Sequence, residues 1–412
     1  MKISLNSQIF VGAAVGVALG FWFAQLGPEA NVTQRGTYVC GLLGTLFVDL
    51  LKMVMAPLVF TSITVGVANL RQHSQLHRVW IVTLGFFLLS MMLAIGLGLA
   101  AANAFEPGKG LHPDLLHNAN HDIAAKRMTF AEFIASFLHG LFVNPFAALA
   151  QGNILAIVMF ALLLGIALVA GGNRYRNILQ LLTEGLELML RLVGWIMRLA
   201  PLGIMALLAQ LLASQNLELL QTLVEFIAVV VGTTLLHGFI VLPLLLFIVT
   251  GMSPARFFSG SREALITAFV TSSSSATMPV TLRCVEQHLH VKPGIAGFVV
   301  PLGATVNMDG TALYEAAAAL FVANLAGIDF NLAQQSIVFL TTMVAAVGAP
   351  GIPSAGMVTM VMVLQSVGLP AEAVAILLPI DRILDTVRTM VNVEGDMVGS
   401  LIVQRLSDAE SA

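Results

Sequence analysis

DRILDTVRTMVNVEGD, residues 381–396, lies inside a run that is otherwise apolar from Val374 to Val403 and long enough to cross a bilayer. On a helix at about 100° per residue, Asp381, Asp385, Arg388, Thr389, Asn392 and Asp396 fall within an arc of about 100°. Ile383, Leu384, Val387, Met390 and Val391 occupy the rest of the wheel. A charge at the bilayer centre costs about 2.5–3.5 kcal/mol on insertion scales, and this face carries three carboxylates and a guanidinium. It must therefore look into protein, water or ligand. A surface helix with its polar side in solvent is the alternative, but the apolar flanks leave little solvent-facing helix for it to join. The stretch reads as a binding or translocation site.

Just upstream, residues 335–367 form apolar arms around Gly348-Ala349-Pro350-Gly351-Ile352-Pro353-Ser354-Ala355-Gly356. Residues 264–284 do the same around Thr271-Ser272-Ser273-Ser274-Ser275-Ala276-Thr277, with Pro279 behind. Neither centre continues as regular helix without losing backbone hydrogen bonds, and hydrocarbon supplies no replacements. Each reads as a re-entrant hairpin with its tip at mid-membrane. Each is followed by a polar helix: Asn307-Met308-Asp309-Gly310-Thr311 within 294–327, then the 381–396 face. A doubled hairpin-plus-helix unit is the pattern of an inverted-repeat transporter, in which helix N-termini suit a carboxylate and free carbonyls suit Na⁺.

The rest of the chain agrees. Its 412 residues are 58% hydrophobic and only 10% charged, with mean hydropathy +0.92, against about 25% charged for a soluble domain. That composition is a polytopic membrane protein, and a net charge of −3 without a basic run gives no reason to invoke nucleic acid. The N-terminal apolar run is too long for a signal peptide and predicts a first spanning helix. Further apolar segments fall at about 7–27, 38–70, 78–104, 129–170, 177–214 and 217–250. Several exceed the span length, so kinks are expected, with Pro57, Pro145, Pro201 and Pro243 as candidate points. Thirty-six glycines suggest close helix approach. Cys40 and Cys284 read as packing residues, and His112, His117 and His121 as part of an exposed loop, since their spacing fits no standard metal site. His237 reads as a hydrogen-bonded core residue, and Arg191 and Arg198 receive no chemistry. If both hairpins return to their side of entry, Lys2, Arg71, Arg78, Arg174, Arg176, Arg256, Arg262, Lys292 and Arg405 share one side, predicting a cytoplasmic N-terminus.

SSSSATMPVT, NMDGTALYEA, GIPSAG and the D-x3-D-x2-RT-x2-N-x3-D pattern together resemble the dicarboxylate/amino acid:cation symporters, the family of glutamate and aspartate transporters. The resemblance covers essentially the whole chain. It implies an all-α, glutamate-transporter-like fold of eight transmembrane helices plus two re-entrant hairpins with inverted repeats. Hairpin 1 would span about 254–288, helix 7 about 293–327, hairpin 2 about 331–369 and helix 8 about 371–405. Residues 1–70 and 129–214 would be a static scaffold and trimerisation domain, and 78–104 with 217–405 a transport domain moving by an elevator motion. The implied setting is a homotrimer in the inner (plasma) membrane carrying an acidic amino acid.

By the same resemblance, Ser273, Ser274 and Thr311 contact substrate, Arg388 clamps its side-chain carboxylate, and Asp385 takes its ammonium group. Thr389 and Asn392 bind the amino acid backbone, while the second tip, Ile352 and Pro353 to Gly356, closes over it. One implied Na⁺ site uses backbone carbonyls of Gly303, Asn307 and Asn392 with the Asp396 carboxylate; a second uses carbonyls at Thr305, Ala346, Val347 and Ala349. A third adds Asn307 and Asp309 side chains to hydroxyls on the third helix. Here the chain departs, because Phe87 and Met91 stand where oxygen donors are expected and only Ser90 remains, which weakens that site. Glu315 is flanked by apolar residues from Ala316 to Phe321, so it either carries a proton or pairs with Arg388 or Arg382. The resemblance favours the proton, since proton-coupled relatives carry glutamate there.

Two other classes are weaker. An intramembrane protease of the GxGD type lacks its first glycine in Val393-Glu394-Gly395-Asp396, and no HExxH or GxSxG occurs. A channel would show current without saturable uptake. Within transporters, a proton-driven C4-dicarboxylate or neutral amino acid symporter is the alternative.

Overall fold

The computed structural model describes residues 5–27, 29–69, 77–110, 139, 142–151, 153–213, 217–347, 349, 351 and 353–408. Ile352 and the loop histidines 112, 117 and 121 lie outside the described residues. Regular structure within them is helical, as the apolar periodicity predicts.

Seven helices form the first half: α1 (Leu5–Leu26), α2 (Asn31–Asn69), α3 (His77–Phe105), α4 (Pro145–Gln151), α5 (Ile154–Gly171), α6 (Arg176–Met197) and α7 (Ala200–Ala213). The segment expected at 177–214 is divided, with a 51° bend between Met159–Met197 and Ala200–Gln210. Pro201 sits in the first turn after that bend, where its missing N–H costs nothing. α1 packs on α7 with backbones close together. A Cβ added at Gly12 or Gly16 would lie 2.3 Å from the Pro201 carbonyl oxygen or 2.4 Å from that of Met205.

The sixth segment is α8 (Leu217–Leu236) and α9 (Leu242–Thr250), joined by a wide π turn over His237–Val241. Pro243, two residues after it, cannot supply a helical donor, and a π turn is one way a chain absorbs that loss. The segments expected as hairpins each hold a pair of helices that pack on each other: α10 (Pro254–Thr271) with α11 (Ser274–Arg283), and α14 (Leu332–Val347) with α15 (Ala355–Ser366). The helix between them breaks at Asn307-Met308 into α12 (Pro293–Val306) and α13 (Asp309–Leu325). The last, α16 (Val374–Asp408), carries the 381–396 face.

α13 and α16 sit at the centre. Nearly every residue of α13 is buried, polar ones included, and so is every residue of α16 from Thr389 to Val403 except Met390. α16 touches α3, α8 and α9, both hairpins and both halves of the broken helix, while α1, α2, α5, α6 and α7 pack chiefly on one another. By length and composition three described helices can cross a membrane, or four if the bent pair is one span. α16 falls outside that count because charges recur along it, eight of them over 35 residues.

Candidate functional site

The two hairpin tips meet each other. α10 ends on Ser272, held in the left-handed region at φ 50°, and α11 starts from Ser273, whose hydroxyl accepts from the Ala276 N–H at 3.2 Å as a helix cap. The Ser273 hydroxyl also donates to the Gly351 carbonyl of the second tip at 2.8 Å, and the Ser275 N–H reaches the same oxygen at 3.1 Å. Across the cavity Ser354 is left-handed too, at φ 60°. Its N–H donates to Asp385 Oδ2 at 2.9 Å. A non-glycine residue in that region costs about 1–3 kcal/mol, which the first tip offsets with its own Ser273 cap and the second with the bond to Asp385.

Below the tips, the break between α12 and α13 is closed by side chains of α16. Asn392 accepts from the Gly310 N–H through Oδ1 at 2.8 Å and donates through Nδ2 to Thr311 Oγ1 at 3.2 Å and Met308 Sδ at 3.3 Å. Asn307 Nδ2 donates to the Asn392 carbonyl at 3.2 Å and to Asp396 Oδ1 at 3.0 Å. This closeness needs a bare backbone at Gly303, where a Cβ would lie 2.2 Å from Asp396 Oδ1. Asn307 Oδ1 is buried with no partner, an oxygen left pointing into a cluster of carbonyls and a carboxylate. Those are the donors a hard cation takes.

Four charges in the first half of α16 form a buried set. Arg388 Nη2 donates to Asp381 Oδ1 at 2.7 Å and Asp385 Oδ1 at 3.0 Å, and Arg382 Nη1 lies 3.3 Å from Asp385 Oδ2. Two carboxylates and two guanidiniums cancel, which is what makes their shared burial bearable. Arg388 is 0% exposed and stacks 4.0 Å from the Tyr314 ring centre, and among the described residues its Nε and Nη1 have no partner. Unmet buried donors are costly and point to an absent acceptor.

A small cavity lies above this set, lined by Ser272, Ser274, Met308, Thr311, Ala349, Gly351, Gly356, Asp385, Thr389 and Asn392. Of the residues expected at the substrate, Ser274, Thr311, Gly356, Asp385, Thr389 and Asn392 are therefore in the wall. Arg388 lies behind it, with Nη1 3.5 Å from where a Cβ on Gly356 would be. Ser273 turns to Gly351 instead, and Pro353 is half-buried at the tip.

The expected ion ligands divide similarly. Gly303, Asn307, Asn392 and Asp396 converge as described. Thr305 turns its hydroxyl to its own helix at Leu302, and Ala349 caps back onto the Ala346 carbonyl, while Val347 ends α14. The second tip still touches the end of α12, because a Cβ on Gly351 would lie 2.5 Å from the Ala304 carbonyl oxygen. Asp309 takes the Ser90 hydroxyl at 3.3 Å and His237 Nε2 at 3.0 Å. Phe87 and Met91 are wholly buried beside it and offer no oxygen. Glu315, also wholly buried, accepts from the Thr359 hydroxyl, its other oxygen has no partner, and among the described residues it makes no ion pair. Pairing with Arg388 or Arg382 is not what the structure shows.

Gly351 and Ser354 were placed in the second tip from the sequence, but not their backbone bonds, and His237 is the hydrogen-bonded core residue expected, with Asp309 as its partner. Thr359 and Tyr314 were not singled out; Tyr314 had a signal, since it lies three residues after Thr311 on a helix whose polar face was already in view.

Residues 5–406 match the family described as the sodium:dicarboxylate symporter family. The chain is 32% identical to human excitatory amino acid transporter 3 over 98% of its own length and 86% of that protein. It is 46% identical to mouse excitatory amino acid transporter 4 over 65% of its length and 48% of that protein. It is also 33% identical to the rabbit neutral amino acid transporter B(0), over 97% of its length and 79% of that protein.

Proposed function

Because this chain belongs to the sodium:dicarboxylate symporter family, we propose that it couples uptake of an acidic amino acid, L-glutamate or L-aspartate, to Na⁺ and one proton. The family is one of sodium-coupled transporters rather than enzymes, and its apolar helices make this a multi-pass membrane protein. Eight spans and two re-entrant hairpins, a cytoplasmic N-terminus, an inner (plasma) membrane location and a homotrimer complete the reading. The packing supports a scaffold of 1–70 with 129–214 against a transport domain of 78–104 with 217–405. α1, α2, α5, α6 and α7 gather in one group, and α3 joins α13, α14 and α16 in another. Hairpin 2 and α16 make the contacts between them, as a domain that slides along the scaffold by an elevator motion requires.

Arg388 carries the substrate reading: it is a fully buried guanidinium with two donors unmet, directly behind a cavity that Asp385 lines. A planar fork suits the substrate's side-chain carboxylate, and Asp385 suits its ammonium. The same Asp385 would repel a plain dicarboxylate such as succinate. Similarity to a neutral amino acid transporter makes selectivity the point to test. Breaking such a buried pair costs about 3–5 kcal/mol. In proteoliposomes Arg388→Cys should therefore lose L-aspartate uptake by about a hundredfold or more and gain neutral substrates. Unchanged L-aspartate uptake in that variant sinks the assignment.

Na⁺ fits the oxygens of Gly303, Asn307, Asn392 and Asp396, with a second ion at the carbonyls of Thr305, Ala346, Val347 and Ala349. With Phe87 and Met91 apolar and Asp309 already held by His237 and Ser90, a third Na⁺ site is poor. For the proton, Glu315 is dry and among the described residues meets a hydroxyl rather than a cation, which favours a carboxyl that can be neutral in hydrocarbon. With Na⁺ and pH gradients imposed separately, Glu315→Gln should abolish dependence on the pH gradient while preserving substrate exchange. A parent protein indifferent to the pH gradient removes the proton from the cycle.

A further inference from the structure

Hairpin 2 is fastened at two places that differ in kind. At its tip, the Gly351 carbonyl and the Ser354 N–H bond to Ser273, Ser275 and Asp385 around the cavity. At its base, the side-chain amides of Gln335 and of Asn103 on α3 bond each other reciprocally. Asn103 Nδ2 donates to Gln335 Oε1 at 2.9 Å, and Gln335 Nε2 donates to Asn103 Oδ1 at 3.0 Å. Asn103 Nδ2 also donates to the Leu99 carbonyl at 2.7 Å, and Gln335 Nε2 to the Phe330 carbonyl at 3.1 Å, so both N–H groups of each amide are used. Gln335 lies in the first turn of α14, which opens on a reciprocal cap between Asn331 and Gln334. α3 is a firm support for this base. A Cβ at Gly98 would lie 2.5 Å from the Leu313 carbonyl oxygen, so α3 meets α13 through bare backbone. Near the end of α13, Asn324 Nδ2 donates to the Pro107 carbonyl just beyond α3 at 3.0 Å. One hydrogen bond lets its partners rotate about it, whereas two parallel bonds between planar amides resist both rotation and sliding. A ligand can take Asp385 from the tip, because Asp385 lines the cavity; no partner of the base lines it.

We infer that Asn103 and Gln335 are a positioning pair that fixes the first arm of hairpin 2 on α3, so that the tip leaves and regains the cavity about a stationary base. The inference rests on the proposed role of the second tip as the part that closes over the substrate. With the base loosened, the tip returns to Asp385 and Ser273 from a wider range of positions, and the closed, substrate-bound form is less populated. Substrate affinity should therefore fall before the maximal rate does.

The readout is L-aspartate exchange in proteoliposomes. Gln335→Ala and Asn103→Ala should each weaken apparent L-aspartate affinity roughly threefold to tenfold, as loss of a partly exposed amide pair allows, with the maximal rate within about twofold of the parent. The double variant should be no weaker than either single one, because all three lack the same pair. The exchanged pair, Asn103→Gln with Gln335→Asn, keeps the summed side-chain length and should restore affinity. A lower maximal rate at unchanged affinity, or additive losses in the double variant, assigns the pair to fold stability alone and overturns the inference. A cross-link tests the stationary base directly. With Cys40→Ala and Cys284→Ala as background, Asn103→Cys and Gln335→Cys are joined by a short, reducible bifunctional thiol reagent. Exchange should continue within about threefold of the unlinked protein, since the base does not open. Exchange that stops on linking and returns on reduction overturns the inference. The thiol of Ser354→Cys, labelled with an impermeant maleimide, separates the two claims. If Na⁺ and L-aspartate do not protect it, the closing role of the second tip fails; if they do and the linked base still stops exchange, only the stationary base fails.

Discussion

The two hairpins have the same outline and opposite dependence. Hairpin 1 turns at Ser272 and starts its second arm from a residue that caps its own helix, Ser273. Hairpin 2 turns at Ser354, which makes no side-chain cap of its own and gives its N–H to Asp385 on another helix. Its Gly351 carbonyl is likewise satisfied from outside, by Ser273 and Ser275. The first tip is therefore self-sufficient, and the second is held by borrowed partners. A borrowed partner can be taken by a ligand. Asp385 is the group proposed to receive the substrate's ammonium, so binding and the closure of hairpin 2 compete for and share one carboxylate. That difference supports the proposal that the second tip, rather than the first, closes over the substrate.

The largest test of this contrast removes the lender. Asp385→Ala leaves the Ser354 N–H without an acceptor and two buried guanidiniums short of one carboxylate, a change of about 3–5 kcal/mol. We predict loss of L-aspartate uptake by a hundredfold or more, and retention within threefold breaks the contrast outright. Next comes Ser273→Ala, which removes both a helix cap and the bond to Gly351, each worth about 1 kcal/mol. The expected result is an apparent L-aspartate affinity roughly tenfold to thirtyfold weaker, with the maximal rate less affected, because the bound state loses part of its cover. Equal loss in both parameters would point to a damaged hairpin 1 instead. The smallest effect should follow Glu263→Gln, which breaks the exposed ion pair to Arg283 across the arms of hairpin 1. Exposed pairs contribute about 0–1 kcal/mol, and these arms are already joined through buried Phe257, Ala264 and Ala268. Uptake kinetics should stay within threefold of the parent; a larger change means hairpin 1 is not self-sufficient.

Sequence alone determined the parts whose cost is local. Charges within an apolar run must face inward, so the Asp381–Asp396 face was legible from spacing, and every polar member of it is at most 5% exposed. Proline and glycine at the centre of one pair of apolar arms, and a run of serines and threonines at the centre of the other, argue against a continuous helix, so both interruptions were legible too. The break at Asn307-Met308 was visible only as a polar cluster, because neither residue forbids a helix; across it Asn392 Oδ1 takes the Gly310 N–H, and the Asn392 carbonyl and Asp396 take the Asn307 side chain, from 80 or more residues away. Tertiary structure alone decided which partner each buried group took. Glu315 met a hydroxyl rather than an arginine, Asp309 met His237, and Arg388 settled on Tyr314. Hydrogen bonds and ring contacts are made across a few ångströms, and periodicity along one helix fixes only the direction in which a side chain leaves it. What stands in that direction is set by the packing of other helices.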